Sequence, residues 1–140
     1  MAGAPELTLH LLKLAVGAES IADLEDFQAR RAQPPFHVTR MMPKRVEELL
    51  DGGSLYWIIK GQIAVRQPLR AIEAFTDGDG IGRCRLVLET PVVRVRPRPF
   101  RAFQGWRYLQ PKDSPPDLAS QDVAEMPETL RSELAALGLL

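Results

Sequence analysis

The segment "RVRPRPFR", residues 94–101, carries the clearest chemical pattern in the chain. Arg94, Arg96 and Arg98 recur with period two, which on an extended strand predicts one shared face with guanidiniums ~6.7 Å apart. Val93 and Val95 take the opposite face, and Pro97 and Pro99 confine the segment to a sheet edge or an extended form. No acid lies nearby in sequence, so the pattern suits phosphate oxygens, which arginine grips bidentately. The alternative is a solvated face paired to glutamates of a neighbouring strand. Just downstream, "FQGWRYL" sets Phe103, Trp106 and Tyr108 beside Arg101 and Arg107. Aromatics interleaved with arginines can stack bases and hold a backbone, although large aromatics also fill cores.

A third stretch, "TRMMPKRVEELLDGGSLYWIIKG" at residues 39–61, places Thr39 and Arg40 at the end of a strand. Lys44 and Arg45 then fall in the first turn of a helix, and a double glycine leads to Tyr56 and Trp57. Cations at a helix start oppose the macrodipole by ~0.3–1 kcal/mol unless an anion is close. Glu47 and Glu48 could supply it, or a bound phosphate or carboxylate. The candidate ligand-binding residues are therefore Thr39, Arg40, Lys44, Arg45, Tyr56, Arg94, Arg96, Arg98, Trp106 and Arg107. Trp57 reads as core within a central strand.

Catalytic signatures are missing. His10 and His37 are the two histidines and Cys84 the one cysteine, too few for a recognisable zinc site, so no metal and no cofactor are assigned. Ser54 lacks the frame of a nucleophile elbow, and no phosphate-binding glycine loop occurs. In "DGDGIG", an EF-hand register starting at Asp77 and Asp79 would need oxygen ligands where Ile81 and Leu88 stand, so a hairpin turn explains the glycines.

The elements that must position these residues can be read from length, charge and periodicity. A chain of 140 residues predicts one domain. The single cysteine excludes an intrachain disulfide and fits a reducing compartment. Glu6, His10 and Lys13 interrupt the apolar N-terminus, unlike a secretory signal, and no run approaches the ~18 apolar residues of a membrane span. The expectation is a cytoplasmic protein without membrane contact. The formal charge is zero, but residues 1–39 carry −2, residues 40–109 carry +6 and residues 110–140 carry −4. A basic middle of this kind marks an anionic partner, unless the acidic ends fold back over it.

Residues 7–16 read as a buried strand. Ser20, with Asp23 three residues on, caps a helix running to about Gln33, with Ile21, Leu24 and Phe27 on its apolar face. "FHVTRM" is a strand, and Pro43 opens a second helix ending at Gly52-Gly53. Then the pattern turns β: "SLYWIIK", a Gly61-Gln62 type II′ turn, a long strand with a bulge or an edge position at Pro68, "RCRLVLE", "VVRVRPR", and a last strand within "PFRAFQGWRYL" with a turn at Gly105. The core spans 6–109, a Pro- and Asp-rich surface segment spans 110–126, and a helix spans 127–138 with Leu130, Leu134 and Leu137 on one face. The fold class is α+β: a small mixed, mostly antiparallel pseudo-barrel with two short helices near the N-terminus and one C-terminal helix.

The stretch at residues 39–61, with "IAVRQ" and "RAFQGWRYL", resembles an uncharacterised alphaproteobacterial family, domain-of-unknown-function family fourteen-eighty-nine. The resemblance runs from "LHLLKLAVG" to "SPPDL" and implies no activity. A strand ending in Thr39-Arg40, a short helix, the Gly52-Gly53 turn and an apolar strand are also similar to the PUA-like superfamily, with its ASCH and EVE domains. That resemblance implies a pseudo-barrel binding RNA or modified bases. The ASCH lysine before the threonine is replaced by Phe36, His37 and Val38, and its Gly-Asp by Gly53-Ser54, which separates this chain from the hydrolase members.

The functional expectation is a non-catalytic module binding RNA or a modified nucleotide in a basic, aromatic-lined cleft. One rival is a protein-interaction module whose basic face meets an acidic partner. The other is a small hydrolase of a modified nucleoside, with Lys44 or Glu73 working beside Thr39.

Overall fold

Two apolar strands set the centre of the sheet. In the computed structural model, which describes residues 8–118, β1 (His10–Leu14) and β3 (Ser54–Ile59) run parallel, with Leu11 opposite Leu55 and Lys13 opposite Trp57. Every residue of β3 is buried, the pattern of a strand covered on both faces. An antiparallel strand, β7 (Trp106–Leu109), flanks β1.

On the other side of β3 lies β4 (Gln62–Thr76), whose fifteen residues pair with three other strands. Its first half pairs with β3 and with β6 (Val93–Pro99); its second half pairs with β5 (Gly82–Leu88), which pairs in turn with β2 (Phe36–Thr39). The strand order is β2-β5-β4-β3-β1-β7, with β6 on β4 outside that path. Irregularities in the register bend β4 at Ala64 and again after Pro68, where of the two expectations, a bulge or an edge position, the bulge is found. Pro68 has no N–H to donate; its carbonyl accepts from Glu89, and Leu69 N–H donates to Gly53, both at 2.9 Å. The β3–β4 turn differs from expectation. Lys60 and Gly61 both have positive φ, 49° and 75°, so the turn has type I′ character centred one residue earlier than Gly61-Gln62.

Helix α1 (Ile21–Ala29) begins as the sequence predicts. Ser20 accepts from the Asp23 N–H at 3.1 Å, and the Asp23 carboxylate accepts from the Glu19 N–H at 3.0 Å. It ends four residues before Gln33. Ile21 and Leu24 are buried, but Phe27 stays 39% exposed. Helix α2 (Val46–Leu50) starts later than Pro43 predicts and has Arg45 as its N-cap, so Lys44 and Arg45 precede its first turn.

The sheet carries a core on each face. Helix-side residues include Leu11, Ile21, Leu24, Leu49, Leu55 and Trp57. The other face gathers Leu12, Tyr56, Ile58, Ile63, Val95 and Leu109, with Phe100 and Phe103 packed against them. The expected pseudo-barrel is not closed: β6 and β7 do not pair. Instead a 3-10 turn (Pro111–Asp113) leads the chain back along β6, where Arg96 N–H donates to Pro116 and Leu118 N–H to Arg94, each at 2.9 Å. This satisfies backbone groups on the outer edge of β6, which would otherwise stand open. Among the described residues α1 and α2 are the α-helices; the expected helix at 127–138 lies outside them. No helix there is long and apolar enough to cross a membrane.

Candidate functional site

The three arginines of β6 do not form a ladder. Arg94 lies opposite Val65, a helix-side core residue, whereas Arg98 lies opposite Ile63 in the cluster on the other face. The shifts around Ala64 reverse the side-chain alternation between these rows. Arg94 accordingly meets Glu25 of α1 at 3.8 Å, and Arg98 meets both the carbonyl and, at 3.9 Å, the carboxylate of Asp113. Arg96 is exposed, with no carboxylate partner among the described residues. Arg66 is held bidentately by Asp117 at 2.7 and 2.8 Å and donates to Ser54 Oγ at 3.0 Å.

The acidic ends thus fold back at Glu25, Asp113 and Asp117. Of the thirteen cations in residues 40–109, seven are ion-paired. Arg40, Lys44, Lys60, Arg96, Arg101 and Arg107 have no carboxylate partner among the described residues.

The two other sequence motifs do meet. The Trp106 indole donates to the Met41 carbonyl at 2.7 Å, and the Thr39 hydroxyl donates to the same oxygen at 3.2 Å. The Tyr108 hydroxyl accepts from the Lys44 and Arg45 N–H groups at 3.0 and 3.2 Å. Arg45 lies 5.6 Å over the Tyr108 ring and bonds Glu48 at 2.5 Å, so its local acid is an internal one. These bonds clamp residues 39–45 onto β7 and leave Arg40 and Lys44 exposed. Trp106, 9% exposed and edge-on to Tyr108 at 4.9 Å, is a core residue rather than an open stacking platform. Tyr56 is likewise enclosed on the far face, edge-on to His10 at 5.0 Å. Arg107 is directed away from the clamp, 4.1 Å over the Phe103 ring.

A site the sequence reading missed lies on the helix side. Lys13 stands between Trp57 and Trp106 in cross-strand register, with no carboxylate partner among the described residues. Next to this row, a cavity of about 110 Å³ opens between α1 and the start of β2. Its walls include Phe27, Phe36 and Trp57, and its polar members are Gln28, Arg31 and His37. His37 packs edge-on to Trp57 at 5.3 Å. Burial, and then the charges of Lys13 and Arg31, push its pKa down to about 4, so the imidazole is neutral at pH 7. Burial also lowers the pKa of Lys13. Behind the cavity, Gln67 exchanges two hydrogen bonds with Gln28 at 2.7 and 2.8 Å, accepts from the Trp57 indole at 2.8 Å and donates to the Glu89 carbonyl at 3.1 Å. One signal pointed here: Lys13 is the lone charge in the apolar run "LHLLKLAV".

The profile of the family described as "Protein of unknown function (DUF1489)" matches residues 11–140. The chain belongs to the DUF1489 family. Neither the curated proteins nor the solved structures yield a match. The DUF1489 match takes in the clamp and the cavity alike.

In this DUF1489 chain Glu73 does not meet Thr39 as one form of the hydrolase reading requires. Thr39 lies opposite Cys84, and Cys84 opposite Ala74, so these three share a face. Glu73, adjacent to Ala74, takes the other face and pairs with Arg85 at 3.6 Å. The "DGDGIG" segment is a turn anchored by Asp77, whose carboxylate accepts from the Asp79 and Ile81 N–H groups and from Arg83 at 2.9, 3.0 and 2.6 Å.

Proposed function

We propose that this DUF1489 protein is a non-catalytic binding module for RNA or a modified nucleotide. The observation that carries the reading is the clamped loop at residues 39–45, which holds Arg40 and Lys44 in solvent without carboxylate partners among the described residues. A fixed backbone beneath exposed cations lowers the ordering cost of gripping phosphates. The similarity to PUA-like domains around Thr39-Arg40 supports the same reading.

The test is binding of fluorescent tRNA and single-stranded DNA to the full chain across a salt series, with Arg40→Ala/Lys44→Ala alongside. Affinity should fall linearly on a log–log plot against salt. The double variant should lose about one unit of slope for each phosphate contact removed. Binding indifferent to salt, or no binding at low salt, overturns the reading. A second reading, docking of an acidic protein, draws on Met41 (59% exposed), Met42 and Leu50 around the same cations.

A further inference from the structure

We infer that the cavity between α1 and β2 is a recognition pocket for a single six-membered planar ring carrying a phosphate, which makes it selective for pyrimidine over purine nucleotides. This rests on the nucleotide reading and adds a site that the exposed cations do not define.

Size is the first argument. A cavity of about 110 Å³ is close to the ~150 Å³ that encloses a benzene ring in an engineered protein core. It has room for about one six-membered ring, so the second ring of a fused bicyclic base would extend past the aromatic walls into solvent. Its walls suit a flat ligand, since Phe27, Phe36 and Trp57 offer aromatic surface on several sides. At the mouth Val16 is 73% exposed and Phe27 39%. That is apolar surface a ring would cover.

Polarity is the second. His37 lines the cavity, and no hydrogen bond to its ring nitrogens is present among the described residues. A neutral imidazole offers one donor and one acceptor, matching the mixed donor and acceptor edge of a nucleobase; the choice of a single ring rests on size. Arg31 lines the same cavity and Lys13 bears on His37 from beside it, while no carboxylate among the described residues lines the cavity. A guanidinium and an ammonium around an apolar slot suit a phosphate attached to the ring's sugar. The Gln28–Gln67–Trp57 hydrogen bonds fix the back wall, so the slot is formed before anything enters it.

The experiment titrates the full chain with UMP, CMP, AMP and GMP, and with oligo(U) and oligo(A). It is followed by calorimetry and by the NMR titration of the His37 imidazole. Pyrimidines should bind roughly tenfold or more tightly than purines, and bound phosphate should raise the His37 pKa, because an anion favours the imidazolium. His37→Ala and Arg31→Ala should weaken pyrimidine binding. Arg40→Ala/Lys44→Ala should weaken oligomer binding overall while keeping the ring preference.

Preference seen with mononucleotides assigns the pocket to free nucleotides; preference seen only with oligomers assigns it to bases within a strand. Salt-dependent RNA binding with equal affinity for oligo(U) and oligo(A), and an unmoved His37, overturns the pocket and leaves the nucleic-acid reading standing. Absence of binding to every nucleotide and oligomer overturns both.

Discussion

A carboxamide taken fully out of water costs several kcal/mol unless its donors and acceptors are matched. Gln67, with no exposed surface, meets that condition with four hydrogen bonds to Gln28, Trp57 and Glu89. Gln67→Leu removes the partner of the Trp57 indole and of the Gln28 amide together. It should destabilise the fold by roughly 2–4 kcal/mol in urea titration and change the Trp57 fluorescence. Unchanged stability would mean that water takes over these bonds. Nothing in "IAVRQPL" marks this glutamine as buried, because alternation identifies a face and not what covers it. The same limit applies to Arg94 and Arg98. Their spacing in sequence is regular, and only the shift opposite Ala64 puts them on different sides.

Among the elements, the α2–β3 junction shows a constraint that a double glycine announces without locating. Gly52 has φ +84° and open space around its missing side chain. Gly53 has an ordinary φ, but a Cβ there would stand 2.2 Å from the Leu49 carbonyl oxygen and 2.5 Å from that of Leu9. Its own N–H donates to Leu49 and its carbonyl accepts from Leu69, both at 2.9 Å, so the backbone has no room to retreat. Gly52→Ala should cost ~1–2 kcal/mol through its left-handed backbone. Gly53→Ala should cost about 3 kcal/mol or more, or prevent folding. Equal midpoints in thermal melts of the two variants would refute this ranking. Helix α1 was legible down to its cap, because Ser20 and Asp23 act within one turn. Helix α2 was not, because the residues leading into it, Lys44 and Arg45, are held through their N–H groups by Tyr108 from over sixty residues away.

For the whole molecule, the two histidines couple folding to pH. His10 accepts from the Ser54 N–H through Nδ1 at 3.0 Å, and burial, then Arg66, partly offset by Asp117, brings its pKa to about 4. His37 has a pKa of about 4 as well. Both values are depressed, so between about 6.5 and 4 the unfolded chain binds protons that the native state refuses. Stability is therefore complete above the unfolded pKa near 6.5 and falls as pH drops towards 4. For His10, with 1% exposure, the loss is of order 2 kcal/mol by pH 5. The urea midpoint should be clearly lower at pH 5 than at pH 7. A flat profile, or an imidazole that protonates near pH 6.5 in the native state, would contradict the burial argument. The zero net charge is also a property at this scale: the acidic ends reach Arg66, Arg94 and Arg98 through space.

The sequence by itself determined the α+β class, most of the strands, the Ser20 cap and the choice of a bulge or an edge position at Pro68, since each depends on neighbours a few residues apart. It also marked residues 39–45 and 103–109 as segments holding candidate binding residues, without showing that one clamps the other. Tertiary structure alone decided which side each strand residue faces, which cations keep a partner and where the cavity lies. Those outcomes depend on register and on contacts between distant segments. A shift of one residue in β4 reverses a whole face without leaving any trace in composition or periodicity.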